Sequence, residues 1–238
     1  MQKWPDDTFV LIPSYKSADL LQQFLPRLLK IVPDKQICIV DDASGDNTES
    51  VCASYCLTCI KHPVNTGKGG ALDTGFRFLI DKKASWIITM DADGQHAPED
   101  LNNFLDSVQK NPSLGICIGS RCMKIGVMPF PRICSNRITS FILTLFTGVP
   151  ILDSQCGYRI YSAELLKKIK IEYMRFEMES EVIIKAANLG FQIGFTNVQT
   201  LYLSGLSHIS HLKDTLRWVR AVIRVWFKCR KRNQIIIR

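Results

Sequence analysis

The chain has 238 residues, with 30 Lys and Arg against 22 Asp and Glu, a formal net charge of +8. The excess is local: residues 211–238 hold nine basic side chains and one acid, which leaves 21 of each sign in the first 210. A neutral body with one basic appendage excludes a nucleic-acid packer, and a 46% hydrophobic, 22% charged composition excludes wholesale disorder.

Apolar runs alternate with helical patterns along the chain. Residues 8–13 read as a first strand. A helix follows over 17–30, with Leu20, Leu21, Phe24, Leu28 and Ile31 at helical spacing and Pro26 late in it. Residues 36–40 form a β-rich run ending in Asp41-Asp42, and the stretch from Gly45 to Thr48 signals a turn and a helix start. A strand over 57–60 leads to a glycine-rich segment that opens a helix over 69–80. Residues 86–90 are a strand ending at Asp91-Ala92-Asp93. Pro98 and Glu99 start a helix to Lys110, and 114–119 is a further strand. The second half is less regular, with a helix over 134–146, a turn over 153–157, a helix over 177–189 and a strand-like run over 191–203. Such alternation predicts an α/β fold with a mainly parallel sheet covered by helices, its ligands held at the strand C-termini.

Residues 1–7 are polar and short. No stretch approaches the roughly 18–20 apolar residues that cross a bilayer. The expectation is a cytoplasmic chain without a membrane-spanning segment, its nine cysteines reduced. Cys52, Cys56 and Cys59 have the C-x3-C-x2-C spacing of an iron–sulfur loop, and His62 follows. No second cysteine pair completes a zinc site, so these thiols are expected to be small buried side chains.

Chemistry concentrates after the strands. Asp91 and Asp93 lie two apart at a strand end, where two carboxylates suit a hard divalent cation shared with diphosphate oxygens. Asp41-Asp42-Ala43-Ser44-Gly45 places acids where a ribose hydroxyl or a base N–H could bind, or where they simply cap a helix. Asn65-Thr66-Gly67-Lys68-Gly69-Gly70-Ala71 puts glycines and one lysine at a helix start, a plausible anion site. It is not a Walker loop, which would need glycine in place of His62 and Ser or Thr in place of Gly69.

The order Pro13-Ser14-Tyr15, Asp41-Asp42-Ala43-Ser44, Asn65 to Ala71 and Asp91-Ala92-Asp93-Gly94-Gln95-His96 resembles the GT-A glycosyltransferases of family 2. Within them it is similar to the dolichyl-phosphate and polyprenyl-phosphate mannosyl- or glucosyltransferases. The likeness covers about residues 8–203. It implies a Rossmann-like GT-A domain over residues 1–205, with a mixed, mainly parallel sheet. It also implies an inverting, metal-dependent transfer from a nucleotide-diphosphate sugar.

By position, Pro13, Tyr15, Asp42, Lys68, Asp91 and Ala92 would line the donor pocket. Asp91, Asp93 and Gln95 would hold Mg²⁺ or Mn²⁺. Arg121, Arg132, Ser135 and Asn136 would meet the acceptor, a lipid phosphate or a glycan. Asp93 and Arg121 would take part in catalysis, and Asp153 or Glu179 would serve as base for a hydroxyl acceptor. His96 and His208 match family loop positions. Lys16-Ser17 stand where relatives have Asn-Glu. Asp214 replaces the Gln of the processive Gln-x-x-Arg-Trp pattern before Arg217-Trp218, which argues against polymer synthesis. The alternatives are a sugar-nucleotide nucleotidyltransferase, whose early glycine-rich signature is missing near Pro13, and an inactive nucleotide-sugar-binding module.

Residues 206–238 contain the basic excess. Lys213, Arg217, Arg220, Arg224, Lys228 and Lys231 recur at helical spacing beside Leu212, Leu216, Val219, Ile223 and Phe227. A basic amphipathic helix of this kind either lies on an anionic membrane or packs on the body. No nucleic-acid partner is expected.

Overall fold

The structure is a computed structural model that describes residues 3–199 and 211–236, the side chains of 211–214 and 231–236 excepted. The loop carrying His208, the 205/206 boundary and the side chains of Lys213, Asp214 and Lys231 lie outside the described residues.

The first half follows the expected alternation: β1 (Thr8–Ser14), α1 (Ala18–Leu28), β2 (Ile37–Asp41), α2 (Thr48–Ser54), β3 (Thr58–Lys61), α3 (Lys68–Asp81), β4 (Trp86–Thr89), α4 (Leu101–Lys110) and β5 (Leu114–Arg121). The second half adds α5 (Phe130–Thr147), β6 (Arg159–Ser162), α6 (Ala163–Lys168), α7 (Glu177–Asn188), β7 (Gln192–Val198) and α8 (His211–Ile236). One sheet of seven strands runs in the order β3-β2-β1-β4-β6-β5-β7. All pairs are parallel except those of β6, which runs antiparallel to β4 and β5. Val10, Leu11, Ile12, Ile39, Val40, Ile87 and Ile88 are fully buried, because helices cover both faces of the central strands.

Register brings the chemistry to one edge. Ser14 pairs with Asp41, so the ends of β1 and β2 are level. Leu11 pairs with Thr89, and Asp91 follows two residues later.

Three elements differ from the sequence reading. β6 and α6 were not expected, since four and six residues are too short to show a period, and β6 begins with a charged residue. α5 starts at Phe130 rather than 134, with Pro131 in its first turn, where a missing N–H has no helical acceptor to lose.

The terminal helix α8 rests on the body. Ala221, Val222 and Val225 are buried, and Trp218 Nε1 donates to Ser180 Oγ in α7 at 2.8 Å. Arg217 pairs with Glu177, and Lys228 with Glu172. The Trp226 ring meets Phe146 of α5 at 5.2 Å. Leu216, Ile223 and Phe227 face outward. Replacing Val222 by Asp puts an unpaired charge into this seam. The variant is expected to lose about 2 kcal/mol of stability, read by thermal unfolding, and to expose α8 to limited proteolysis.

Candidate active site

The site begins with an anchored loop. Asp42 follows β2 and is 3% exposed. Its Oδ1 lies 2.7 Å from His62 Nδ1 and accepts from Thr66 N and Thr66 Oγ1, both at 2.8 Å. Its Oδ2 accepts from Gly67 N at 2.7 Å. Burial would raise this carboxyl, but the bonds from Thr66, His62 and Gly67 outweigh it and hold it below the usual range. Asp42 therefore stands where the motif predicts, while its oxygens are committed to the glycine loop. His62 is the residue the sequence reading missed here. It bridges Asp42 to Thr74 Oγ1 of α3 at 2.9 Å. Gly67 has φ +89°, and a Cβ there would stand 2.6 Å from the Met174 carbonyl oxygen.

That loop delivers Lys68 at the start of α3. Its Nζ lies 2.6 Å from Asp91 Oδ1 and 2.7 Å from Glu179 Oε1. Burial alone would lower the lysine's pKa. The two carboxylates reverse that and raise it, so the ammonium is fully charged. Glu179 Oε2 meets Arg159 Nη2 at 3.4 Å. Arg159 is completely buried, and donates also to the carbonyls of Cys156 at 2.6 Å, Ser154 at 2.8 Å and Glu179 at 2.9 Å. Charges thus alternate along Arg159, Glu179, Lys68 and Asp91. An arginine inside a short apolar strand was the available signal, because such a charge must find partners.

The turn after β4 carries Asp91, Ala92, Asp93, Gln95 and His96. Asp93 Oδ1 accepts from Gln95 N at 3.0 Å, and Asp91 N donates to His96 Nδ1 at 3.1 Å. The His96 ring stacks on Tyr158 at 4.7 Å, and burial holds it below the usual histidine range despite Asp91 and Asp93. Burial and the Asp91 charge raise Asp93. Burial would raise Asp91 too, but Lys68 and His96 bring it down. Its carboxylate is 28% exposed, and the Gly157 backbone approaches it too closely to admit a side chain. A Cβ there would be 2.7 Å from both Asp91 Oδ2 and Lys68 Nζ. Two carboxylates and an amide oxygen fit Mg²⁺ or Mn²⁺. Among the described residues no group of three His, Cys, Asp or Glu side chains is placed to hold an ion, so further donors must come with a substrate.

A second cluster lies at the end of β5. Arg121 Nε and Nη2 donate to Asp153 Oδ2 and Oδ1 at 2.8 and 2.9 Å, and Asn136 Nδ2 donates to Oδ1 at 2.7 Å. Asp153 and Asn136 are fully buried. Burial would raise Asp153, yet Arg121 and Asn136 hold it below the usual range. Arg132 is half-buried in the first turn of α5, and exposed Ser135 accepts from Gln155 Nε2 at 2.9 Å. The charge of Arg121 also helps lower Asp91. Tyr15 is exposed, and Pro13 pairs in register with Val40.

The glycosyl transferase family 2 model matches residues 9–170. The chain belongs to this family. This family 2 transferase is 31% identical to the UDP-N-acetylglucosamine–dolichyl-phosphate N-acetylglucosaminyltransferase of Methanococcus voltae, over 82% of this chain and 85% of the relative. It is 30% identical to the polyprenol monophosphomannose synthase of Mycolicibacterium smegmatis, over 78% and 74% of the two chains. Glucosyl-3-phosphoglycerate synthase from Mycobacterium tuberculosis, in complex with Mn²⁺, uridine diphosphate and phosphoglyceric acid, superposes with a TM-score of 0.70 at 17% identity. That likeness covers 93% of this chain and 78% of the other, and shows the fold to be GT-A-like.

The three cysteines with iron–sulfur-like spacing sit on or just beyond α2 and on β3. Cys52 is buried, Cys56 is exposed beyond α2, and Cys59 lies on β3, while His62 turns to Asp42 and Thr74.

Asp153 supplies a pH prediction. Its native pKa is depressed, so its contribution is complete above the unfolded value of about 3.9 and is lost as pH falls through the lower native value. Asp153→Asn is expected to cost about 3 kcal/mol at neutral pH and to flatten the acid limb of unfolding midpoint against pH.

Proposed function

We propose that the chain transfers a hexose, with inversion, from a nucleotide-diphosphate sugar to a polyprenyl phosphate, using Mg²⁺ or Mn²⁺. One observation carries the choice of acceptor. A sugar hydroxyl needs a carboxylate to take its proton. Asp153 is enclosed against Arg121 and Asn136, and Glu179 is tied by both oxygens to Lys68 and Arg159. A phosphate monoester, with a second pKa of about 6, arrives already anionic and needs no such base.

In this reading Asp153 and Asn136 position Arg121 rather than act on substrate. Arg121, Arg132 and Ser135 hold the acceptor phosphate, for which the planar guanidinium fork is suited. Pro13, Tyr15 and Ala92 line the donor pocket, and Asp42 contributes through the loop it anchors. Asp91, Asp93 and Gln95 hold the metal, which when bound neutralises charge on the leaving diphosphate. Lys68 adds a second positive charge there. Support comes from relatives named for dolichyl phosphate and polyprenol, and from neighbours bound to Mn²⁺ and uridine diphosphate.

The same reading places the chain peripherally on the cytoplasmic face of a membrane. No helix among the described residues is long and apolar enough to cross one. α8 turns exposed Leu216, Ile223 and Phe227 outward with exposed Arg220 and Arg224. Phe130, Ile138, Phe141 and Leu145 form a matching exposed stripe on α5, the helix that also carries Arg132 and Ser135.

A screen of UDP-, GDP- and dTDP-sugars with Mn²⁺, with and without polyprenyl phosphate, tests the reaction. Asp93→Ala is expected to lower turnover at least ~100-fold, and Arg132→Ala to raise KM for the lipid phosphate ~10-fold. Full activity of Asp93→Ala, or an unchanged KM for Arg132→Ala, would overturn the respective assignments. For the membrane, Phe227→Asp with Phe141→Asp is expected to abolish co-sedimentation with anionic vesicles while the unfolding midpoint holds; retained sedimentation defeats that part.

A further inference from the structure

Lys68 sets a full positive charge against the carboxylate assigned above to the metal. Its Nζ is 2.6 Å from Asp91 Oδ1 and 2.7 Å from Glu179 Oε1, in a side chain only 16% exposed. Gly157 closes in at a distance that leaves no room for a Cβ, and the Phe176 ring centroid lies 5.9 Å from Nζ. The loop that carries the lysine is fixed by four hydrogen bonds to Asp42, from Asn65, Gly67 and twice from Thr66. The ammonium is therefore a built-in part of the anionic site, not a surface charge that solvent screens.

A divalent cation approaching Asp91 meets a carboxylate already paired with a cation. Like charges at this range repel strongly where water is scarce. A nucleoside diphosphate reverses the balance, because its oxygens offer the ammonium a new anionic partner and release Asp91 for the metal.

We propose that Lys68 couples the two ligands: it opposes binding of the metal alone and makes tight metal binding depend on the diphosphate. The inference rests on the assignment of Asp91 and Asp93 to the metal. By linkage, metal and diphosphate then strengthen one another by the same factor. Glu179 shares the lysine's charge with Asp91, so it sets how much of that charge opposes the metal.

The test is Mn²⁺ binding to the full chain, read from the electron paramagnetic resonance of the free ion, alone and with UDP or GDP. In the wild type the effective diphosphate is expected to tighten Mn²⁺ binding by about tenfold or more. Lys68→Met is expected to bind Mn²⁺ alone about tenfold tighter, with the diphosphate's enhancement reduced by a similar factor. Glu179→Gln leaves the lysine to Asp91 alone and is expected to bind Mn²⁺ alone more weakly than the wild type. Its opposite direction keeps the proposal testable if Lys68→Met fails to fold. Mn²⁺-alone affinity of Lys68→Met at or below wild type, or of Glu179→Gln at or above it, overturns the coupling. Asp93→Ala separates the two levels. If it keeps wild-type Mn²⁺ binding with diphosphate, the metal assignment falls and the coupling with it. If it loses that binding while Lys68→Met behaves as wild type, the coupling alone falls.

Discussion

The ammonium of Lys68 between Asp91 and Glu179 is the interaction on which the cleft depends. Each member comes from a different part of the chain, α3, the turn after β4 and α7, and each is largely buried. Buried charges persist only when paired, so the ion pairs fix how these three elements meet. Arg159 extends the alternation into β6 and, through three carbonyls, pins the 153–157 turn to α7. The other acids of the α7 start brace the same frame. Glu181 accepts from the backbone of Glu172 and Tyr173, next to the residues that cover the glycine loop, and Glu177 ties α7 to Arg217 of α8.

The second cluster obeys the same rule with a different result. Asp153, in a turn, reaches Arg121 across 32 residues of sequence and grips it with both oxygens. A paired, desolvated carboxylate of this kind makes a poor proton acceptor and a firm support for a guanidinium.

Much of the first half was legible in the amino-acid order. The apolar runs of β1, β2 and β4 are continuous, each is followed by polar residues, and only the C-terminal edge of a parallel sheet accommodates that pattern. The positions of Asp91, Asp93 and Lys68 after their strands were therefore readable from the order of residues, as was that of Glu179 at a helix start, while the roles proposed for them come from the family resemblance. What stayed hidden depends on where side chains end. Asp42 reads as a ligand-facing acid because nothing local reveals that His62 and Thr66 will claim its oxygens. Asp153 reads as a base because Arg121 and Asn136 are distant in sequence. β6 is too short to announce itself, and its direction is decided by pairing with strands on either side.

That reversed strand governs the order in which the molecule can be assembled. β6 lies between β4 and β5, yet it is synthesised after both. A growing chain that has not passed residue 162 has nothing to lie between them, so the β1–β4 half and β5 remain separate pieces with open edges. The Asp91–Asp93 turn and Lys68 are made early, but Glu179, which pairs with Lys68, and Arg159, which pairs with Glu179, are among the later arrivals. Closure of the sheet and completion of the cleft are thus one long-range event, the slow kind of contact to form. Until then, both unpaired strand edges are the chain's exposure to misassembly.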